Sequence, residues 1–293
     1  MILIVDALNR HEYADILNDM YRLRARVFGD RLGWDVDIVD GMERDSFDDL
    51  DPAYIIGLDE EGHVISCVRA LQTLGPHMLS DVFSDILDGE PPLRSATIWE
   101  ATRFCVDTER LGKGRGTGTI AHATCELNIG ALEYAIESGI TDVIAVVDPR
   151  MDRVLRMSGN GAYDYLGKTV AMGKVHALAG LLDCTEERLA RVREFAAITG
   201  PVLVDEAEFR ARRARQAAKA AQTAQAQAAM AAQADAAMAE YFIRQIDAAS
   251  SPEELAAVLS LADTVLGPVR GAGPAGQDGP RAHPHMPSVA HRN

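Results

Sequence analysis

The chain predicts an α/β domain with a mixed sheet and helices on its faces, followed by a helical and then disordered extension. Three observations lead there. Over the first 200 residues, short β-branched runs alternate with stretches of three- and four-residue apolar periodicity. Beyond Pro201 the composition turns to Ala, Gln and Arg, which favours helix by propensity without a sustained apolar heptad. Beyond Gly267 the chain is rich in Pro, Gly and His and has little to bury.

In order, Met1-Ile2-Leu3-Ile4-Val5-Asp6 reads as a first strand, being too short and too poor in basic residues for a signal peptide. Residues 9–32 read as a helix capped by Asn9, with Tyr13, Ile16, Leu17, Met20, Leu23 and Val27 on one face. Residues 33–52 form an acidic loop, and loops of that length are usually functional or disordered. Ala53–Leu58 and His63–Leu71 are strands joined by a turn at Asp59-Glu60-Glu61-Gly62. Residues 75–95 are irregular with a short helical patch, and Thr97–Val106 is a strand. Thr119–Ser138 is a helix ended by Gly139. Val143–Val147 is a buried strand, Met151–Met157 a helix and Val170–Leu178 a strand. Thr185 caps a helix to Ala196 with Glu186 and Glu187 in its first turn. These elements delimit an α/β domain over 1–200, a helical extension over 201–267, with Ser251-Pro252 opening its second helix, and a disordered tail over 268–293.

A chain of 293 residues with 47% hydrophobic content can bury a core. A net charge of −15 argues against a general nucleic-acid binder. Cys67, Cys105, Cys125 and Cys184 fit no zinc spacing and read as reduced core thiols. No apolar run approaches a membrane span, so a soluble cytoplasmic protein is expected. His122 and His176 are isolated and His283, His285 and His291 lie in the tail, so no metal site and no Ser-His-Asp triad is expected.

The informative residues are charged and aromatic. Arg24, Arg69 and Arg103 are distributed among Asp45, Asp48 and Glu100, with Phe28 and Trp34 nearby in sequence. Such a cluster with aromatic walls suits a small zwitterion. Its alternatives are a solvated acidic loop, ordinary cation–π packing of Arg24 on Phe28, and a structural ion pair at Glu100. Arg24 and Phe28, four apart, share a helix face. On a regular strand Glu100 and Arg103 point to opposite faces. For both to serve one pocket the strand must bulge between them, opening a cleft toward Val143–Val147. Gly112–Gly118 precedes a helix like a phosphate cradle, but fits neither Walker A nor the dinucleotide fingerprint. Lys113 and Arg115 in it suit a phosphopantetheine or an acidic carrier protein, and a flexible loop is the alternative. Arg210, Arg212, Arg213, Arg215 and Lys219 head the long helix, either as a solvated face or as a partner surface.

In type and order, Arg24, Phe28, Trp34, Asp45, Asp48, Arg69, Phe83, Glu100 and Arg103, with Gly75-Pro76-His77-Met78-Leu79 and Pro91-Pro92, resemble the acyl-homoserine-lactone synthases (LuxI type). The resemblance covers roughly residues 1–200 and leaves the extension unexplained. It implies an N-acetyltransferase-like three-layer αβα sandwich with a splayed mixed sheet. It also implies an acyltransferase of quorum sensing, which acylates the amine of S-adenosylmethionine from acyl carrier protein or acyl-coenzyme A and then closes the lactone, releasing methylthioadenosine. No tightly bound cofactor, nucleic acid or membrane enters this reading, and the C-terminal helix is a candidate for homo-oligomerisation.

The resemblance assigns catalysis to Glu100, Asp45, Asp48 and Arg69, substrate binding to Arg24, Phe28, Trp34 and Arg103, and the acyl pocket to Phe83, Ala145 and Val147. An α-amine titrates near ~8, so roughly a tenth is free at neutral pH and a carboxylate such as Glu100 serves as general base. Ala145 stands where a Thr accompanies 3-oxo chains in the family, which implies an unsubstituted or 3-hydroxy chain. Two rival readings remain at this stage: an acyl-coenzyme A N-acyltransferase acting on another amine, and a non-catalytic binding protein of the same fold.

Overall fold

The computed structural model describes residues 1–114, 116–173 and 175–266. The chain divides into two compact units, the first Met1–Ala211 and the second from Arg212 on. The first is built on a seven-stranded sheet. Its strands are β1 (Ile2–Val5), β4 (Ala53–Leu58), β5 (Val64–Gln72), β6 (Ile98–Val106), β7 (Asp142–Val147), β9 (Val175–Asp183) and β8 (Asp164–Met172), in that spatial order. All neighbours are antiparallel except β6 and β7. A parallel pair needs a crossover, and α3 (Ile120–Glu137) supplies it.

Strand alternation builds two cores. Tyr54, Ile56 and Leu58 of β4 face α1 (Ala14–Arg24), while Ile55 between them faces the other side with Leu127, Ile129 and Leu132 of α3. Leu189 and Val192 of α5 (Glu186–Ala196) complete that second layer. The three-layer αβα sandwich with a mixed sheet is therefore present. Thr119 caps α3 by accepting from the His122 amide, and Gly139 follows its end at φ +73°, as the sequence predicts. All four cysteines are free and buried.

The first helix differs from expectation. Asn9 does not cap it: its side chain takes the Asp6 amide and donates to Ile4 and Glu206. α1 begins at Ala14 and widens at Ala25–Arg31 into π-helix, a form that recurs at functional sites. The acidic loop carries a two-residue ladder, β2 (Ile38–Val39) with β3 (Met42–Glu43), and a 3-10 turn at Ser46–Asp49. α2 (Met78–Asp81) and a 3-10 turn at Ser84–Leu87 form the expected patch.

The single strand expected over 170–178 is a hairpin of β8 and β9. Met172 pairs with Val175, and Gly173 opens the turn at φ +59°, where a side chain would be strained. β8 is the mostly exposed edge strand, so it lacks the alternation that marks a half-buried one.

α4 (Pro149–Met157) follows β7 with Asp148 as its cap. Two further helices are α6 (Glu206–Ala248) and α7 (Pro252–Leu266). Within the first unit, Phe209 packs on Tyr13, and the chain before it pairs with β1 through Val202 and Val204. The segment expected to be disordered, 268–293, lies outside the described residues. No helix among the described residues is long and apolar enough to cross a membrane.

Candidate active site

The site lies on the α1 face of the sheet and depends on the bulge in β6. Cys67 of β5 faces Cys105 and Arg69 faces Thr102, so two steps on β5 oppose three on β6. Arg103 is the extra residue, at φ +54°, a conformation costly for any residue but glycine. Before it, Ile98, Glu100 and Thr102 face the α1/α2 side. After it, parity flips, and Arg103 and Cys105 face the same side. Pairing of β6 with β7 ends at Ala101–Ala145, while both strands continue. The bulge and the parting of strands expected from the Glu100/Arg103 spacing are both present.

Three arginines meet three acids here. Arg24 donates from Nε to Glu43 and from both Nη atoms to Asp48 at 2.8 and 2.9 Å. Arg69 holds Asp45 with both Nη atoms, reaches Asp48 at 2.7 Å and bonds Thr102 through Nε. Arg103 donates to Glu43 at 3.1 and 3.0 Å and lies 2.7 Å from Asp45. Tyr54 donates to Asp48 at 2.7 Å. The two aspartates also shape their own backbone as a capping box: Asp45 accepts from the Phe47 amide and Asp48 from the Asp45 amide. Burial works against ionising Asp48, yet the bonds and charge of Arg24, with the charge of Arg69, hold its carboxyl well below the usual range. Arg24 is correspondingly held protonated.

Exposure separates the cluster into a base and a mouth. Arg24, Arg69, Glu43 and Asp48 are fully buried, whereas Arg103 keeps 11% and Asp45 18% of its side chain exposed. Beside that mouth, Phe28 stacks on Trp34 at 5.1 Å, Arg103 lies 5.5 Å over the Phe28 ring, and Trp34 is 48% exposed. Arg24 and Phe28 both turn toward this cluster, Arg24 through Glu43 and Phe28 beneath Arg103, which itself bonds Glu43. The π-helix lies between them, and Arg24 also lies 5.3 Å over the Tyr21 ring. The Arg24 guanidinium, expected among the substrate-binding groups, is enclosed by Glu43 and Asp48 at the base of the cluster.

Glu100 is fully buried and accepts the Met78 and Leu79 amides at 2.6 and 2.7 Å. Burial pushes its carboxyl up to about 7, against the pull of those two amides and of Arg69. Met78 connects the parts: its amide meets Glu100 and its sulfur lies 3.4 Å from Arg69 and 3.8 Å from Arg103. Glu100 and Arg103 thus converge on Met78.

The expected acyl-pocket residues do not share a face. Phe83 packs with Ile144 and Val146, whereas alternation along β7 directs Ala145 and Val147 to the opposite side with Val143. All three are half-buried. A cavity of about 600 Å³ lies outside the charge cluster, lined by Ser80, Asp85, Asp88 and Lys168 among others. The Gly-rich loop closes on itself, Gly112 donating to Gly118 and Ile120 to Gly112; Arg115 within it lies outside the described residues.

Two residues of the site escaped the sequence reading. Glu43, the acid shared by Arg24 and Arg103, carries no signal separating it from other acids of its loop. Tyr54 did carry one: an inward-facing tyrosine among Ile56 and Leu58 needs a buried partner for its hydroxyl.

The sequence model of the autoinducer synthases matches residues 7–192. An acyl-homoserine-lactone synthase of Agrobacterium fabrum (strain C58) is 38% identical over 181 residues, 62% of this chain and 85% of that relative. One from Aeromonas hydrophila is 37% identical over 196 residues, 65% of this chain and 91% of that relative. Among solved structures, the coenzyme A-dependent acyl-homoserine lactone synthase MesI superposes with a TM-score of 0.61 at 28% identity, covering 70% of this chain and all of that one (100%). The coenzyme A-dependent synthase BjaI, solved with S-adenosylmethionine and isopentyl-coenzyme A, gives 0.62 at 25% identity over 70% and 92% of the two chains.

Proposed function

The chain belongs to the autoinducer synthase family, and from that membership we propose that it makes N-acyl-homoserine lactone with the charge cluster on the α1 face. The observation that carries this reading is the partly open rim of an otherwise buried cluster. Arg103, Asp45 and the Phe28–Trp34 stack offer a cation, an anion and an aromatic wall at one mouth. S-adenosylmethionine carries a carboxylate, an amine and a sulfonium, which match those three in kind. Arg24, Arg69, Glu43 and Asp48 hold the two reaching residues in place rather than touching substrate.

In this reading Glu100 takes the amine proton, directly or through one water. A carboxylate whose proton affinity lies near neutrality suits that task. The freed amine attacks the thioester carbonyl and the thiol leaves, forming the amide. The substrate carboxylate then attacks its own γ-carbon, the carbon–sulfur bond breaks, and methylthioadenosine departs. That closure is intramolecular, so Arg103 contributes by orienting the carboxylate. Backbone amides where β6 and β7 part are the candidate oxyanion donors.

The acyl thioester is carried by coenzyme A or by acyl carrier protein. Residues 1–200 form the catalytic domain and 201–267 the helical extension, through which the chain self-associates. Ala145 offers a methyl where a hydroxyl would bond a keto oxygen, so the acyl chain is unsubstituted or 3-hydroxylated. Purified full-length chain, given S-adenosylmethionine and acyl-coenzyme A or acyl carrier protein thioesters in turn, tests this by mass spectrometry. Homoserine-lactone product with stoichiometric methylthioadenosine is expected. A folded protein that makes neither with any donor would sink it.

A further inference from the structure

The segment entering α2 is held by an arginine outside the cluster. Arg94 Nη1 lies 3.2, 3.0 and 2.6 Å from the carbonyl oxygens of Thr73, Leu74 and Gly75. The same segment is stitched once more: Thr73 Oγ1 lies 3.0 Å from Ser95 O and 2.9 Å from Ile98 O, and accepts the Ser95 amide at 3.0 Å. Three residues beyond Gly75 come the two amides that meet Glu100. α2 spans only Met78–Asp81, a single turn, and a turn that short has no stability of its own. The direction of its first amides is therefore set by what anchors the chain before it, and Glu100 itself follows that anchor by a few residues along β6.

We propose that Arg94 is a positioning residue for Glu100: by gathering the carbonyls of residues 73–75 it aims the Met78 and Leu79 amides at the Glu100 carboxylate. The inference rests on the reading of Glu100 as proton acceptor. Arg94 acts through the chain and does not touch the reacting atoms. The groups that bear on Glu100 are Arg69 from β5, Asp81 from α2 and the two amides. The amides and Arg69 favour the carboxylate, while burial and Asp81 disfavour it. Arg94 in turn bears on Asp81, as does His77. When the clamp is lost, the amides drift from the carboxylate and Glu100 binds its proton more tightly. A higher pH is then needed to free the base.

The test is kcat/KM against pH for the full-length chain with S-adenosylmethionine and its best acyl donor, comparing wild type, Arg94→Ala, Arg94→Lys and Glu100→Gln. Arg94→Ala should move the acidic limb upward by about half a pH unit or more, with rate recovered at higher pH. Arg94→Lys should stay near wild type, because an ammonium brings three donors to the same three oxygens. A limb left in place in Arg94→Ala, with only the amplitude reduced at every pH, is what a purely structural arginine gives, and it overturns the proposal. Should Arg94→Ala not fold, a limb moved in Arg94→Lys as far as that half unit overturns it as well. A Glu100→Gln rate equal to wild type is a different failure: it removes the base reading, and the inference with it.

Discussion

Replacing Asp48 by Asn tests whether the cluster holds the fold as well as the chemistry. The Asp48 carboxylate accepts from Arg24 twice, from Arg69, from Tyr54 and from the Asp45 amide. Asparagine keeps the shape but turns an amino group toward two buried guanidinium groups, and leaves three arginines facing two acids. Breaking a buried ion pair on one side costs about 3–5 kcal/mol, a large share of a total near ~5–15 kcal/mol. For a unit of this size that is a fall in Tm of about 6–20 °C. Urea unfolding at pH 7, followed by far-UV circular dichroism, reads it directly. The sign with pH follows from the depressed carboxyl of Asp48. Its stabilisation is complete above the ordinary carboxylate range and fades as pH falls toward the lower folded value. The gap between wild type and variant should therefore be full at pH 7 and shrink below about pH 4. A loss under about 1 kcal/mol at pH 7, the worth of an exposed pair, would refute the cluster as a buried structural unit.

Glu100→Gln should lower turnover by about 100-fold or more with an unchanged circular dichroism spectrum; an unaltered rate excludes Glu100 from proton transfer. The same variant makes a stability prediction of opposite sign to Asp48. Burial raises the Glu100 carboxyl to about 7, so between the ordinary carboxylate range and about 7 the folded chain keeps a proton the unfolded chain has lost. Ionising Glu100 then costs stability as pH rises, and Glu100→Gln should gain on wild type at pH 8 relative to pH 5; equal differences at the two pH values would contradict this. Trp34→Ala should raise the KM for S-adenosylmethionine several-fold while shifting stability by less than about 0.5 kcal/mol, since the ring is half exposed; a large loss in the urea midpoint would make Trp34 structural. Ala145→Thr should raise the share of 3-oxo product when mixed donors compete, and an unchanged product ratio by mass spectrometry would remove position 145 from acyl selection.

How far the site could be read in advance depended on whether a regular period applied. β6 was legible because its period of two conflicts with what Glu100 and Arg103 must share, and only an extra residue resolves the conflict. Arg103 at φ +54° is that residue. β8 was not legible, because an exposed edge strand shows no alternation to read. The π-helix after Arg24 was invisible for a related reason: its residues fit an α-helical period, and nothing in that period marks the widening at Ala25–Arg31. Glu43 lies in a loop, where parity carries no meaning, and it is buried only because Arg24 and Arg103 converge on it from different elements. Charge balance points only as far as its loop. Three arginines brought out of water require three acids, and the sequence offered Asp45, Asp48 and Glu100 for that purpose. Once Glu100 is committed to two backbone amides, the third partner has to come from elsewhere in the acidic loop. Of the acids there, Glu43 alone sits on β3, against the end of α1 where Arg24 projects. The acid that the sequence placed in the cluster and the acid that the fold uses are therefore different residues, and the exchange is what leaves Glu100 outside the ion-pair network, where a carboxylate can still take a proton near neutral pH.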